Sequence, residues 1–274
     1  MSFCIRLCQL GLCLIFFVSV AQAQSLRVIT LAPHLTELVY ALHAEDELVG
    51  VIDHSDYPPQ ARQHPIVGTY QTLNLEKILA LKPDLVLSWS QGNPNAQLAT
   101  LRQFGIKVVD SAPTRLNELA PFIIQLGQQL HREQQAKQLA KQLQTQLEQL
   151  KQHYHSLAPV RVFYQIWHQP LMTVAAPSWI NDAIQTCGGI NVFQHSDSTY
   201  PQINIEQVIN RKPQAIIIAD HQHQGGDIWS HWPQLTASQH LIWINPDLLN
   251  RFTPRLLQGV TQLCQAIDQR RNSR

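Results

Sequence analysis

One short phrase occurs twice in this chain. NLEKILALKPDLVL occupies residues 74–87 and NIEQVINRKPQAII occupies residues 204–217. Asn74 and Asn204, Glu76 and Glu206, Lys82 and Lys212, and Pro83 and Pro213 are identical at one constant offset of 130 residues. Each copy has an Asn suited to cap a helix, apolar residues spaced for one helix face, and a Lys-Pro break that ends the helix. Each then enters an apolar stretch that reads as a strand. Four identities alone are within reach of chance; the shared break, spacing and following strand make chance a poorer explanation. Such a repeat restricts the chain to folds built from two similar halves.

The rest of the sequence fits that restriction. Residues 28–31 read as a strand that stops at Pro33, after which Thr36-Glu37 can open a helix through Leu42. Residues 48–53 form a second strand, 84–89 a third and 105–110 a fourth, with a helical stretch at 97–104. Strand alternates with helix through short connections, which means a parallel sheet wrapped by helices. From Glu133 to Tyr154, Ala136, Leu139, Leu143, Leu147, Leu150 and Tyr154 recur at spacings of three and four, with no Gly or Pro until Pro159. At 1.5 Å per residue this is a rod of about 30 Å, long enough to cross from one lobe to another. The competing reading is an ordinary surface helix inside one domain.

The pattern then restarts. Residues 161–167 read as a strand, Trp179–Thr186 as a helix, the second copy of the phrase follows, residues 242–245 are a strand, and a helix runs from Pro254 to about Ile267. The expected fold is α/β: two similar lobes with mostly parallel sheets, joined by one long α-helix, with a ligand cleft between them. The divisions expected are residues 24–131, a connecting helix over 132–156, and residues 157–274. Ligands of open α/β sheets sit beyond the carboxyl ends of the strands, so those ends should line the cleft.

Hydrophobic residues make up 45% of the 274, charged residues 14%, and the net charge is +1. This excludes a disordered chain and gives no electrostatic footprint for nucleic acid or an anionic membrane. Residues 1–23 read as a cleaved secretory signal: a basic start, an apolar run and Ala21-Gln22-Ala23. A membrane anchor is the alternative, but the run from Leu7 to Val20 is short and holds Gln9. Cys13 follows Leu12 and sits too early in the run for a lipoprotein signal. Cys4, Cys8 and Cys13 leave with the signal. Cys187 and Cys264 remain, which in an oxidising compartment suggests one disulfide, worth about 4 kcal/mol on the chain-entropy model. Two free buried thiols are the alternative, and no CxxC supports a metal site.

His221-Gln222-His223, with His231 and His240, invites a zinc or iron reading, but the run into Gly225-Gly226 reads as a solvated loop. GxSxG and HExxH motifs are absent from the sequence, so an enzyme is not expected.

RVITLAPHLTELVYAL, VGVIDHSDYPPQA, NLEKILALKPDLVLSWSQGN, CGGINVF and PQINIEQVINRKPQAIII together carry a family resemblance. Over essentially the whole mature chain the sequence resembles the periplasmic cobalamin (vitamin B12)-binding proteins of ABC importers, in the helical-backbone class of solute-binding proteins. The resemblance implies a periplasmic protein, monomeric when free, with cobalamin as transported ligand and no catalytic cofactor. Its partners would be a permease dimer with its ATPase subunits, docked through one exposed acid per lobe: Glu76 and Glu206. Matching ligand positions are His54, Tyr70 and Trp89 in the first half. In the second they are Trp167, Tyr200, Asp247, Leu248, Leu249, Asn250 and Arg251. His54 stands where the family has Tyr, and Leu248-Leu249 stand where it has aromatic residues. His54 is therefore expected to bond a corrin amide or to coordinate cobalt. The alternative cargo on the same scaffold is haem or a ferric siderophore, because Tyr70 lies near the iron-ligating Tyr of haem-binding relatives.

Overall fold

A computed structural model describes residues 25–221, 224–232 and 241–272. The signal segment with Cys4, Cys8 and Cys13, and also Gln222, His223 and His240, lie outside the described residues.

The first half runs β1 (Val28–Thr30), α1 (Pro33–Ala41), β2 (Leu48–Val51), α2 (Leu75–Ala80), β3 (Leu85–Trp89), α3 (Asn95–Gln103) and β4 (Lys107–Ser111). Its four strands are all parallel, in the order β2-β1-β3-β4. Helices α4 (Leu119–Gln129) and α5 (Glu133–Tyr154) follow. The second half begins with β5 (Val160–Gln165) and a hairpin of β6 (Trp167–His168) and β7 (Leu171–Met172). It continues with α6 (Trp179–Thr186), β8 (Gly189–Asn191), α7 (Ile205–Asn210) and β9 (Ala215–Ala219). It closes with β10 (Leu241–Ile244), α8 (Pro246–Leu249) and α9 (Leu256–Asn272). Its sheet is also parallel, ordered β10-β9-β5-β8. Counted from its own first strand, that is the same order as in the first half: second, first, third, fourth.

The repeated phrase is repeated in structure as well. Asn74 caps α2 by accepting from the Lys77 N–H at 2.9 Å, and Asn204 caps α7 by accepting from the Gln207 N–H at 2.8 Å. Lys82 and Lys212 both take left-handed backbone, φ 45° and 46°. The following proline disfavours right-handed helix at each lysine, so the helix has to stop there. An arginine at the start of each lobe's first strand closes the unit. Arg27 Nε donates to the Leu81 and Lys82 carbonyls at 3.0 and 3.1 Å, and Arg161 Nε donates to the Lys212 carbonyl at 3.2 Å.

Helix α1 begins at Pro33, earlier than Thr36-Glu37. Proline's fixed φ suits the first turn of a helix and its missing N–H costs nothing there. Helix α5 spans the residues expected of it, with Ala136, Ala140, Leu143, Leu147 and Tyr154 buried. Helix α4 has no counterpart in the sequence expectations. It lies along α5, and Gly127 is the reason it comes so close: a Cβ there would stand 2.3 Å from the Ala136 Cβ. Buried residues of both lobes, with α4, α5 and α9, form one continuous apolar cluster, while two smaller clusters fill the far faces of the sheets. Cys187 at the end of α6 is bonded to Cys264 of α9, a separation of 77 residues. Among the described residues no helix is long and apolar enough to cross a membrane.

Candidate ligand cleft between the lobes

The carboxyl ends of the strands carry most of the polar and aromatic groups of interest. In the first lobe β1 leads to His34, β2 to the loop 53–57, and β3 ends in Trp89. In the second, β5 leads to Trp167, and β10 leads to α8 with Asp247 and Arg251. Ion pairs join the two sets. Arg251 Nη1 donates to Glu37 Oε1 at 3.0 Å and to Asp56 Oδ1 at 2.8 Å, both in the other lobe. Its Nη2 lies 3.1 Å from Asp247 Oδ1 in its own lobe. Arg255 grips the same Glu37 carboxylate with two bonds, Nε to Oε2 at 2.8 Å and Nη2 to Oε1 at 2.7 Å. Its guanidinium carbon lies 3.5 Å from the centre of the Tyr57 ring.

Trp89 is held from several sides. Its backbone N–H donates to Asn93 Oδ1 at 2.7 Å, and Asn93 Nδ2 donates to the Leu31 carbonyl at 2.8 Å. A Cβ at Gly92 would come within 2.1 Å of the indole, so the turn after β3 admits the ring by omitting a side chain. His34 meets Trp89 edge to face, with centroids 5.9 Å apart. Burial, reinforced by the charge on Arg251, pulls the His34 imidazole down to about 4. Burial pushes the Asp56 carboxyl up, but its bond to Arg251 and that cation's charge prevail, leaving it below the ordinary value.

The other expected residues vary in how they are placed. His54 has left-handed backbone, φ 62°, and a side chain 81% exposed; its Nε2 lies 3.5 Å from Asp53 Oδ2. Tyr70 is exposed and accepts from Gln71 Nε2 at 3.1 Å. Trp167 is exposed in the β6–β7 hairpin, its indole donating to the Gln169 carbonyl at 2.9 Å. Tyr200 is partly buried against the core, and burial raises its phenol. Asn250 accepts from the buried Tyr164 hydroxyl at 2.7 Å. Leu248 and Leu249, expected on the ligand wall, turn inward. Leu249 is fully buried in the apolar core and Leu248 nearly so. An aliphatic side chain in place of an aromatic one gains more from filling that core than from lining a wet cleft. Glu76 and Glu206 are both exposed, each in the first turn of its helix.

Sequence reasoning missed Glu37, Asp56, Tyr57, Arg255 and His34. Glu37 did carry a signal, because it is an acid among apolar residues on a short helix. The pair Arg251 and Arg255, four apart in NRFTPR, carried another. His221 Nε2 lies 3.4 Å from Asp247 Oδ1, and His231 Nδ1 is 2.7 Å from Ser230 Oγ. Among the described residues no group of three or more His, Cys, Asp or Glu is placed to hold a metal ion. Cavities of about 730 and 510 Å³ are lined by other residues than those expected to bind ligand, and one of about 370 Å³ is lined in part by His54 and Asp56.

Two parallel sheets of one topology, joined by a long helix and facing each other across polar and aromatic strand ends, define a solute-binding architecture. The chain belongs to the periplasmic binding protein family, whose sequence pattern it matches over residues 28–242. It is 42% identical over 241 residues to the vitamin B12-binding protein of Vibrio cholerae serotype O1, covering 87% of each chain. The crystal structure of the periplasmic vitamin B12 binding protein BtuF of Vibrio cholerae superposes with a TM-score of 0.82 at 39% identity, covering 89% of this chain and 97% of that one. The periplasmic heme-binding protein RhuT from Roseiflexus sp. RS-1 shares the fold, with a TM-score of 0.78 at 23% identity over 90% of this chain and all of that one.

Proposed function

We propose that this protein captures cobalamin between its lobes in the periplasm, after removal of residues 1–23, and delivers it to the permease of an ABC importer. The observation that carries the reading is the 42% identity to a vitamin B12-binding protein across both lobes. The chemistry agrees with it. A corrin is a broad, flat ring with an amide fringe, and needs aromatic walls with polar partners at the rim. Trp89, Tyr70, Trp167 and Tyr200 are our candidates for walls, and His54, Asp247, Asn250 and Arg251 for amide partners. We assign residues 24–131 and 157–274 to the two lobes and residues 132–156 to the connection. Glu76 and Glu206 are our candidates for docking on the permease dimer, one contact per lobe, with charge setting orientation and encounter rate. The protein acts by binding and release, without catalysis.

Co-elution tests the reading. Purified protein passed over a sizing column with cyanocobalamin should carry the pink chromophore at equal molar ratio. Protein eluting colourless at micromolar concentrations would overturn it. A haem reading rests on the exposed Tyr70 phenol; protein that stays colourless with cyanocobalamin but takes up hemin would establish it instead.

A further inference from the structure

The ion cluster between the lobes does more than join them. Glu37 is an acid with its side chain 2% exposed, on a helix whose other residues are mostly apolar. A lone buried carboxylate is very costly, so this one exists for its partners. It has two, both from the other lobe: Arg255 with a two-pronged grip and Arg251 through Nη1. The same two cations reach onward to the loop that follows β2. Arg251 bonds Asp56, and Arg255 lies over the Tyr57 ring. Thr36, next to Glu37, donates to Ser55 of that loop at 3.0 Å. The loop therefore hangs from Glu37 and its two arginines, and it carries His54 at its tip.

We propose that Glu37 is a positioning residue for ligand capture: it holds Arg251 and Arg255 of one lobe against residues 55–57 of the other, and so sets both the opening of the cleft and the place of His54. This rests on the function proposed above. Without the carboxylate, Arg255 loses its two-pronged ion pair and Arg251 keeps only Asp56 and Asp247, so the direct tie between the two arginines and α1 is gone and the lobes separate or rock. Only the fraction of molecules at the right opening can then bind, and the apparent affinity falls by that fraction. The pair Arg115–Asp182 also crosses between the lobes at 2.7 Å, but the Arg115 side chain is 52% exposed. An exposed pair contributes little, so it serves as a control.

The test pairs a ligand-free measurement with a binding measurement. Spin labels at Ala99→Cys on α3 and Asn210→Cys on α7 report the distance between the lobes. In the parent the distribution should be narrow; Glu37→Gln should broaden or shift it and weaken cyanocobalamin binding about tenfold or more. Glu37→Asp should recover part of both effects, and Arg115→Gln should change neither. The proposal is overturned if Glu37→Gln keeps the parent distribution, or if the distribution broadens while the affinity stays the same. Should the parent itself fail to bind cyanocobalamin while its distances still respond to Glu37→Gln, the ligand assignment fails and the interlobe latch stands.

Discussion

His34 is the residue whose behaviour is most sharply set by its surroundings. Its imidazole is buried beside Trp89 and near Arg251, and takes a proton only near pH 4, against about 6.5 in the unfolded chain. The unfolded state therefore binds the extra proton first. Stability from the neutral imidazole is complete above about pH 6.5 and declines as the pH falls toward 4, by about 3 kcal/mol. Asp56, whose carboxyl is held below its ordinary range, adds a further loss only as the pH falls through its own lower value. Denaturant titrations at pH 7 and pH 4.5 should show the His34 loss, and His34→Leu should largely remove it. On the ligand side, Trp89→Ala should weaken cyanocobalamin binding by about 1–3 kcal/mol, read by equilibrium dialysis, and should also lower the melting temperature, because the indole packs on the core. What the sequence revealed at this scale depended on locality. The place of Trp89 is legible because it ends an apolar strand. Glu37 is not, because its partners Arg251 and Arg255 stand 214 and 218 residues away. The burial of Leu249 is not legible either, because it depends on packing against distant parts of the chain.

Among the elements, the helix–Lys-Pro–strand unit was the most readable. Cap, apolar spacing and break all lie within fourteen residues, and local chemistry alone specifies them. Asn74→Ala and Asn204→Ala should each cost about 1 kcal/mol in denaturant unfolding, since each removes the acceptor for one helix N–H. Helix α4 was unreadable for a physical reason. Gly127 within it is a poor helix residue, and packing on α5 overrides it. The Cys187–Cys264 bond ties α6 to α9 across a long stretch of chain. Cys187→Ser with Cys264→Ser should cost about 4 kcal/mol in the same assay, by restoring freedom to the unfolded chain.

At the scale of the whole molecule, the likeness of the two halves was legible in one repeated phrase and the long helix in one uninterrupted helical period, whereas the order of the strands was not. Nor was the relation between the lobes, because it is made by side chains from distant parts of the chain. The single apolar cluster running through both lobes favours small opening motions over wide closure. The outer face has its own test. Glu76→Lys with Glu206→Lys should leave cyanocobalamin binding unchanged and should weaken stimulation of the importer's ATPase in reconstituted vesicles about tenfold or more. Unchanged stimulation would remove both acids from the docking surface.

The most direct measurement is a calorimetric titration of residues 24–274 with cyanocobalamin, with hemin as the matched control. Saturable one-to-one heat with cyanocobalamin, and none with hemin, is the expected result. Silence with cyanocobalamin and a saturable response to hemin would contradict it, and would mean that the scaffold has been kept while His54 and the leucines of α8 accompany a different cargo.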